Sequence, residues 1–332
     1  MERVLLSHGA GGPEMAELID RVFLTCYAAD DYVRDDSFAL TLDGRHIAFT
    51  TDSFVVDPIF FPGGDIGRLA VAGTVNDLLT AGARPLVLSA SFILEEGLPV
   101  ETLTRIAASM ARTAKESNVA IVTGDTKVVP KGSADKIFIT TSGVGQIIRP
   151  GVSGAALQAG DRLILTGSIG DHGAAVMLAR EGLLDGENIL SDAAPLTELV
   201  LRLLEAGLEI HAMRDPTRGG IAAALNEMAR QSGVCVEIVE SQVPVKPPVA
   251  AACEALGLDV FQVANEGKML IAVASEDADA ALALVRSCCY GAEARIIGQV
   301  KPGPAGRVQL KTLIDTTRLI EPPRGELLPR IC

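Results

Sequence analysis

Apolar and polar residues alternate in short runs along this chain and recur at a helical spacing in longer ones. The two spacings predict strands and helices that follow one another through both halves of the sequence. The predicted strands cover residues 46–56, 85–94, 119–123, 136–148, 162–166, 234–240, 268–274 and 294–300. The predicted helices cover residues 66–81, 99–117, 174–181, 195–206, 221–231, 247–256 and 277–289. Such an order is typical of an α/β or α+β fold.

A turn-forming stretch interrupts this pattern at residues 150–154, which read Pro-Gly-Val-Ser-Gly. Because strands and helices resume after it, we interpret it as a domain junction. The sequence therefore predicts four parts: a glycine loop and helix in residues 1–35, an N-terminal domain in 36–150, a C-terminal domain in 151–305, and a mobile C-terminal tail in 306–332.

Composition narrows the class of protein. Hydrophobic residues make up 48% of the 332 positions, enough to fill the cores of two domains of ordinary size. The formal net charge of −13 argues against general nucleic-acid binding, which needs a basic surface. The N-terminus turns polar and glycine-rich at once, and no apolar run is long enough to span a bilayer. We therefore expect a cytoplasmic protein with no membrane partner.

The C-terminal segment ends in a cysteine. Residues 321–332 hold three prolines and a glycine, so neither a helix nor a central strand suits them. Leu327, Leu328 and Ile331 supply apolar surface with which the segment could dock. The other cysteines lie in apolar periodic segments and are interpreted as buried, namely Cys26, Cys235, Cys253, Cys288 and Cys289. Cys332 is thus a thiol placed for reaction on a tether, with a frayed terminus as the alternative.

Four aspartates stand within or at the ends of apolar elements: Asp52, Asp77, Asp125 and Asp215. Carboxylates at such positions usually cap helices or belong to turns. We expect Asp52 and Asp125 to end buried strands and Asp77 to lie inside a helix, where a carboxylate is costly without a cation. Oxygen ligands without a Cys/His cluster favour magnesium, completed by substrate phosphates. We interpret the four aspartates as metal ligands, with capping as the alternative.

Two glycine-containing segments offer sites for an anion. Gly9, Gly11 and Gly12 precede a predicted helix, and free amides at such a helix start can bind phosphate. Many glycine loops are only turns, so this signal is weak on its own. Residues 215–220, which read Asp-Pro-Thr-Arg-Gly-Gly, place Arg218 and two glycines at the start of a second helix.

Lys127 and Glu266 are candidates for the chemistry itself. Lys127 follows Asp125 by two residues and faces either a phosphate or solvent. Glu266 lies between Asn265 and Gly267 before a buried strand. It is either a general base or a turn residue, and its spacing leaves both interpretations open.

These residues fall in motifs that resemble one family. The motifs are Ser7-His8-Gly9-Ala10-Gly11-Gly12, Thr51-Asp52, Val75-Asn76-Asp77-Leu78, Gly124-Asp125-Thr126-Lys127, Asp215-Pro216-Thr217-Arg218-Gly219-Gly220, Asn265-Glu266-Gly267 and Pro329-Arg330-Ile331-Cys332. Together they resemble HypE, the hydrogenase maturation proteins of the PurM-like, or aminoimidazole ribonucleotide synthetase, superfamily. The resemblance runs from Ser7 to the last residue. Its specific parts are Asp-Pro-Thr-Arg-Gly-Gly and the terminal Pro-Arg-Ile-Cys.

The resemblance implies a fold of two PurM-like α/β domains and a flexible C-terminal tail, with the N-terminal halves of two subunits pairing into a β-barrel. It implies that the carbamoyltransferase HypF loads a carbamoyl group onto Cys332. ATP and Mg²⁺ in the cleft would then serve to dehydrate this group to a thiocyanate. The cyano group would pass to the iron of [NiFe]-hydrogenase through the HypC–HypD complex.

Roles for individual residues follow from the resemblance together with their chemistry. Cys332 carries the group, Glu266 takes the nitrogen proton, and Lys127 polarises or stabilises the transferred group. The residues expected to hold ATP are Gly9, Gly11, Gly12, Asn76, Asp77, Thr126 and Arg218. The residues expected to hold Mg²⁺ are Asp52, Asp77, Asp125 and Asp215.

Two kinds of rival remain. Another ATP enzyme of the superfamily is the nearer one: a selenophosphate synthetase, a thiamine-phosphate kinase or aminoimidazole ribonucleotide synthetase itself. A selenophosphate synthetase should carry a reactive cysteine or selenocysteine near the glycine loop, and residues 1–25 contain no cysteine. The second rival is a non-catalytic scaffold whose tail docks a partner or holds a metal.

Overall fold

The computed structural model describes residues 3–10, 12–27, 35–183, 189–325 and 328–332. Gly11 and Leu327, both named above, lie outside the described residues. The helices in these ranges are α1 (Pro13–Leu18), α2 (Thr25–Tyr27), α3 (Ile66–Thr80), α4 (Val100–Glu116), α5 (Asp171–Glu181), α6 (Thr197–Glu205), α7 (Gly220–Gln231), α8 (Pro247–Leu256) and α9 (Ala278–Arg286), with a π-helical turn, Ile19–Leu24, between α1 and α2. None of these helices has the length and apolar character needed to cross a bilayer.

The strands of the described residues form two main sheets and one short hairpin. Their bounds are β1 (Phe38–Leu42), β2 (Arg45–Phe54), β3 (Phe60–Phe61), β4 (Gly64–Asp65), β5 (Ala83–Glu95), β6 (Ala120–Val129), β7 (Ile137–Ile147), β8 (Arg162–Leu165), β9 (Ile210–Arg214), β10 (Cys235–Val239), β11 (Leu270–Val273), β12 (Arg295–Lys301), β13 (Arg307–Lys311) and β14 (Thr317–Leu319). The two main sheets lie on either side of the predicted junction at residues 150–154.

The first sheet has the strand order β1-β2-β7-β5-β6. Strands β5 and β6 are parallel, joined through α4, and the other neighbours are antiparallel. Buried and partly exposed residues alternate along β7, because successive side chains of a strand point to opposite faces. Helix α3 packs on β2 and β7, so the buried face of the sheet forms the core of this domain together with α3.

Helix α3 connects the two domains. It begins at Asp65, whose carboxylate accepts hydrogen bonds from the backbone amides of Gly67 (2.8 Å) and Arg68 (3.0 Å). Nearly all of its residues are buried, because the first sheet covers one side and α6 and β9 of the second domain cover the other. A polar side chain on α3 can therefore face the first sheet, as Thr74 does toward the hydroxyl of Thr141 at 2.6 Å, or the second domain and the cleft between the domains.

The second sheet has the strand order β14-β13-β10-β12-β8-β11-β9. Strands β10 and β13 are parallel, and the other pairs are antiparallel. Every residue of β11 is buried, which is expected for a strand covered on both faces. Helix α7 packs with one apolar cluster of this sheet, and α6 and α9 pack with the other.

The predicted mixed α/β class is confirmed, but the predicted tail boundary is corrected. Residues 307–319 contain β13 and β14, which belong to the second sheet. Val308 and Leu310 are buried there, so this segment is part of the domain and not of a mobile tail from residue 306. The tail begins after Leu319.

Candidate active site

Three of the predicted metal-binding aspartates meet in the cleft between the domains. Asp52 lies near the end of β2, Asp77 in the last turn of α3, and Asp215 directly after β9. Asp77 accepts a 2.9 Å hydrogen bond from the hydroxyl of Thr50. The fold therefore brings carboxylates from three separate elements within electrostatic reach of one another.

Burial and like charge make these carboxylates hard to ionise. Burial is the main cause of the raised pKa of Asp77, and Asp215 and Asp52 add to it. Burial also raises the pKa of Asp215 well above its usual range, with Asp36 as the next contributor. Burial raises the pKa of Asp52, against which Arg218 acts. A cation in this cluster would relieve the repulsion.

Glu266 lies on the wall of the same cleft. It is only 3% exposed, and its Oε1 is buried without a hydrogen-bond partner in the described part of the chain. Its backbone amide donates a 3.0 Å hydrogen bond to Asp192. Burial, followed by Asp215 and Asp52, raises the pKa of Glu266 well above its usual range. A buried carboxyl group with a free oxygen fits a proton acceptor, and an exposed turn residue is excluded.

Cys332 reaches this cleft from the far end of the chain. The backbone amide of Val55, directly after β2, donates a 2.9 Å hydrogen bond to the carbonyl oxygen of Cys332. Burial strongly raises the pKa of the Cys332 thiol, and Glu266 and Asp52 add to that effect while Arg218 opposes it. The docked thiol is therefore neutral and lies within electrostatic reach of the buried acids.

Arginines hold the tail on both of its sides. Arg180 on α5 donates hydrogen bonds to the carbonyl oxygens of Pro329 (2.7 Å) and Arg330 (2.9 Å). Arg330 itself donates to the carbonyl oxygen of Val55 at 2.8 Å and forms an ion pair with Asp135. These contacts fix the backbone two and three residues before the end of the chain.

Apolar contacts and a histidine complete the docking. Ile331 is 3% exposed and belongs to the main hydrophobic cluster, against which Leu328 also packs. The Nε2 atom of His172 lies 2.7 Å from the carbonyl oxygen of Ile331. The predicted docking of Leu328 and Ile331 is thus confirmed, whereas exchange of the tail between docked and free states stays a prediction.

Arg218 brings the two predicted anion sites together. Its guanidinium donates a 3.2 Å hydrogen bond to the carbonyl oxygen of Gly9, in the N-terminal glycine loop. Gly219 and Gly220 follow Arg218 with φ angles of 77° and 60°, a conformation that favours glycine. The carbonyl oxygen of Pro323 leaves no room for a Cβ at Gly12, so the glycine loop lies against the base of the tail.

Strand β6 corrects the expectation for Asp125, Thr126 and Lys127. It is an exposed edge strand and not a short buried one, because β5 is its only partner among the described strands. A carboxylate oxygen of Asp125 lies 2.7 Å from the ammonium of Lys127, and both side chains are more than half exposed. Two strands, β7 and β5, separate β6 from β2 and hence from Asp52. Within one chain, these three residues do not join the carboxylate cluster.

Asn76, predicted to hold ATP, has its own hydrogen-bond partners within the chain, and its contact with ATP stays a prediction. Asn76 is fully buried. Its Nδ2 donates to the carbonyl oxygen of Ala194 at 3.0 Å, and its Oδ1 accepts from the amide of Leu196 at 2.9 Å. A weaker contact of 3.4 Å reaches the carbonyl oxygen of Glu266. Asn76 therefore ties α3 to the second domain behind Glu266.

The donor set of the cleft fits magnesium bound together with a nucleotide. Asp52, Asp77 and Asp215 supply hard oxygen ligands, and each has a raised pKa that a cation would lower. Among the described residues, no three acidic, histidine or cysteine side chains converge into a ready-made cage. Mg²⁺ usually takes one or two carboxylates and completes its shell with water and substrate phosphates, so such a cage is not required.

Several residues that support this site were missed in the sequence. They are Asp36, His172, Arg180, Asp192 and Arg214. The pKa of Asp36 is raised to about 6 by burial, although Arg214 lies 3.0 Å away and opposes the shift. A usable signal existed for His172, because it follows a buried strand and a Gly-Ser-Ile-Gly turn at the start of a helix. Arg180, Asp192 and Asp36 carried no comparable signal.

Comparison with known proteins decides the family. The N-terminal domain of AIR synthase related proteins matches residues 34–147, and the C-terminal domain matches residues 158–311. The carbamoyl dehydratase HypE of Rhizobium leguminosarum bv. viciae is 50% identical over 335 residues, covering 99% of this chain and 95% of that protein. The chain belongs to the HypE family. The resemblance seen in the sequence motifs is thus confirmed over the full length.

Solved HypE structures share the fold. A HypE in complex with ATP superposes with a TM-score of 0.84 at 46% identity, covering 99% of this chain and 100% of that one. A HypE in a HypE–HypF complex gives a TM-score of 0.86 at 48% identity, covering 92% and 99%. The two-domain PurM-like architecture predicted for a HypE chain is therefore confirmed.

Proposed function

We propose that this chain is an ATP-dependent carbamoyl dehydratase that converts an S-carbamoyl group on Cys332 into a thiocyanate. The observation that carries the proposal is the docking of the terminal thiol beside the buried Glu266 and the aspartate cluster. The relatives support it, since one is named a carbamoyl dehydratase, one binds ATP and one forms a complex with HypF. ATP and Mg²⁺ are the proposed cosubstrate and metal.

The reaction must remove an oxygen and two protons from the carbamoyl group. ATP, when bound, supplies the phosphoryl group that turns the carbamoyl oxygen into a leaving group. That oxygen forms a bond to the γ-phosphorus, the bond to ADP breaks, and the nitrogen loses one proton. The carbon–oxygen bond then breaks, phosphate leaves, and loss of the second N–H proton gives the nitrile on sulfur. No change of oxidation state is required.

Glu266 is the proposed acceptor of the nitrogen proton. Its free Oε1 and its burial beside the thiol place a proton acceptor at the reacting group, and burial raises the pKa of Glu266 well above the usual carboxyl range, which makes its carboxylate a stronger base. Arg218 is the proposed partner for negative charge on the phosphoryl group, because its guanidinium lies between the glycine loop and the thiol. Asp52, Asp77 and Asp215 would hold Mg²⁺, which offsets phosphate charge.

The docked tail excludes water from the reacting group. Ile331 is buried. The carbonyl oxygen of Cys332 accepts a hydrogen bond from the amide of Val55, and that of Arg330 accepts one from the amide of Asp57. The side chain of Arg330 also donates to the carbonyl oxygen of Val55. Water in the cleft would compete for the activated carbamoyl group and hydrolyse it. A closed tail during the reaction is therefore part of the proposal.

Loading and delivery require the opposite state. The raised pKa of the docked thiol leaves it protonated, whereas attack on a carbamoyl donor needs the thiolate. We therefore infer that Cys332 is loaded by HypF with the tail undocked, and that the cyano group is delivered to HypC–HypD from the same undocked state. The tail alternates between partners and its own cleft.

A homodimer is proposed for the first domain. Strand β6 offers an unpaired edge, and Ile121, Val122 and Val128 on it are 38%, 59% and 67% exposed. Edges of this kind pair with another strand when they are not protected. Pairing of two N-terminal sheets into a β-barrel would cover this edge, and it is the arrangement in which Asp125 and Lys127 could serve the cleft of a second copy.

Neither rival function explains why the Cys332 thiol docks beside the buried Glu266. A kinase or synthetase of the same superfamily has no need of a terminal thiol beside a buried acid. A scaffold has no need of a buried carboxyl group with a free oxygen. Both rivals would leave the docking of Cys332 in the carboxylate cleft without a purpose.

The mass of the C-terminal peptide over time tests the proposal. The full chain is incubated with HypF, carbamoyl phosphate and Mg-ATP, with Cys332→Ser as the matched control. We expect a carbamoyl adduct on Cys332 that then loses one water, and no adduct in the control. An adduct that never loses water would favour the scaffold, and ATP turnover without any adduct would favour another enzyme of the superfamily.

A further inference from the structure

His172 is a buried histidine at the start of α5, with no exposed surface. One ring nitrogen, Nε2, lies 2.7 Å from the carbonyl oxygen of Ile331, and the other, Nδ1, lies 2.8 Å from the hydroxyl of Ser191. The ring also makes a T-shaped contact with Phe61, with 5.4 Å between centroids. The ring is therefore fixed from three sides.

The hydrogen-bond partners determine the tautomer of His172. A carbonyl oxygen can only accept, so Nε2 carries the proton and donates to Ile331. Nδ1 is then the acceptor, and the hydroxyl of Ser191 donates to it. The oxygen of Ser191 in turn accepts a 3.1 Å hydrogen bond from the amide of Ala193. Burial lowers the pKa of His172, which agrees with a neutral ring.

We propose that His172 is a positioning residue for the reacting thiol, acting through the carbonyl of Ile331. This inference rests on the proposed dehydration at Cys332. The peptide plane that links Ile331 to Cys332 is held at its oxygen by His172, and the carbonyl of Cys332 is held by the amide of Val55. Together the two hydrogen bonds fix the backbone on both sides of the Cys332 Cα, and hence the direction of its side chain.

The arginine contacts of the tail dock it in the cleft but do not orient its last peptide. Arg180 and the pair of Arg330 with Asp135 act on Pro329 and Arg330, further from the thiol. They keep the tail docked, but they leave the last peptide free to rotate. Loss of the His172 hydrogen bond should therefore leave the tail in the cleft while the carbamoyl group drifts from Glu266. Misplacement by about 1 Å can cost roughly a hundredfold in rate.

Two substitutions separate positioning from packing. In His172→Gln the amide nitrogen can reach the place of Nε2 and donate to Ile331. In His172→Asn the shorter side chain cannot reach it. Ser191→Ala keeps the histidine but removes the donor that fixes its tautomer, and it serves as the second test if His172→Asn fails to fold.

The experiment follows three quantities in the full chain with HypF, carbamoyl phosphate and Mg-ATP. They are total adduct on Cys332, the rate at which the carbamoyl adduct loses water, and hydrogen exchange of the C-terminal peptide. For His172→Asn we expect unchanged adduct and retained protection of the tail, with water loss slowed at least about tenfold. His172→Gln should recover most of the rate, and Ser191→Ala should lie between the two.

Two results would overturn the inference. Water loss at the wild-type rate in His172→Asn and Ser191→Ala would show that the hydrogen bond does not position the thiol. Loss of tail protection in parallel with the rate would make His172 a docking contact and not a positioning residue. A wild-type chain that accepts the carbamoyl group but never loses water would instead contradict the proposed function, whatever the variants do.

Discussion

The backbone amide of Val55 donates a 2.9 Å hydrogen bond to the carbonyl oxygen of Cys332, so the last residue of the chain is attached to the end of the strand that carries Asp52. A second contact of 3.2 Å, from the amide of Asp57 to the carbonyl oxygen of Arg330, continues this pairing. The tail thus uses the backbone beside the proposed metal site as its dock. Any change at the end of β2 should affect both functions.

Removal of the terminal thiol should abolish carbamoyl acceptance without loss of nucleotide binding. In Cys332→Ala the carboxylate cluster and Arg218 remain, so the affinity for Mg-ATP should stay within about threefold of the wild-type value, or less than 1 kcal/mol. Peptide mass spectrometry and calorimetry measure the two properties. A label that appears on Cys235 or Cys289 in this variant would refute the role of the tail.

Asp52→Asn should weaken Mg-ATP binding while the fold is retained. The loss of one charged ligand should cost about 1.5–3 kcal/mol, or roughly tenfold to hundredfold in affinity. Calorimetry with and without Mg²⁺ measures it, and Asp315→Asn, which removes an exposed ion pair with Lys311, is the control. Unchanged Mg-ATP affinity in Asp52→Asn would reduce this residue to a structural role.

Asp125→Asn provides a contrast, because Asp125 lies on the exposed β6 and pairs with Lys127. Its effect on Mg-ATP affinity should depend on association of two chains. We expect a loss of affinity at protein concentrations at which the dimer forms, and none at concentrations at which it dissociates. The same loss at both concentrations would contradict a contribution from a second copy.

The carboxylate cluster predicts how stability depends on pH. Burial raises the pKa of Asp77, Asp215 and Glu266, so the folded chain binds more protons than the unfolded chain above the usual carboxyl range. These three groups should therefore add stability as the pH falls from neutral toward the usual carboxyl range of about 4 in the absence of metal. Asp215→Asn or saturating Mg²⁺ should flatten this slope, as measured by the melting temperature. The same dependence of melting temperature on pH in the wild-type chain, in Asp215→Asn and with saturating Mg²⁺ would show that burial of these carboxylates does not cost stability.

The tail should respond to nucleotide. Burial of Ile331 and the hydrogen bonds from Arg180 and His172 favour the docked state, whereas the lost backbone entropy of the tail favours the free state. A modest preference of Mg-ATP for one of them would shift the population. We expect hydrogen exchange of the C-terminal peptide to slow with Mg-ATP. Equal protection with and without nucleotide would mean that a partner protein controls the tail.

The sequence indicated the acidic residues of the cleft, but not most of the residues that contact them or the tail. Asp52 and Asp77 lie within apolar elements, and Asp215 and Glu266 lie beside them, where a buried carboxylate needs a reason that the local pattern can reveal. Asn76 carried the same signal, but its side chain forms hydrogen bonds with the second domain. Adjacent residues of a helix point about 100° apart, so Asp77 faces the cleft while Asn76 faces the second domain. The different surroundings of Asp77 and Asn76 can therefore be seen only from the way α3 packs in the structure.

Edge position and long-range docking could not be predicted. The apolar run at the start of β6 has the same composition whether the strand is central or at an edge, because the number of neighbours is a property of the sheet. Arg180 and His172 contact the tail about 150 residues away in the sequence, at separations of 149 and 159 residues. No local periodicity encodes such contacts, and short strands such as β14 lie below the length at which a pattern can be seen.

The most direct test of the account is the fate of the carbamoyl group in Glu266→Gln. This change removes the proton acceptor but keeps the size of the side chain. The C-terminal peptide is followed by mass in a single turnover with HypF, carbamoyl phosphate and Mg-ATP, next to the wild-type chain. We predict that the variant accumulates the carbamoyl adduct on Cys332, while the wild-type adduct loses one water. Water loss at the wild-type rate in Glu266→Gln would contradict the claim that the tail delivers its carbamoyl group to this buried acid.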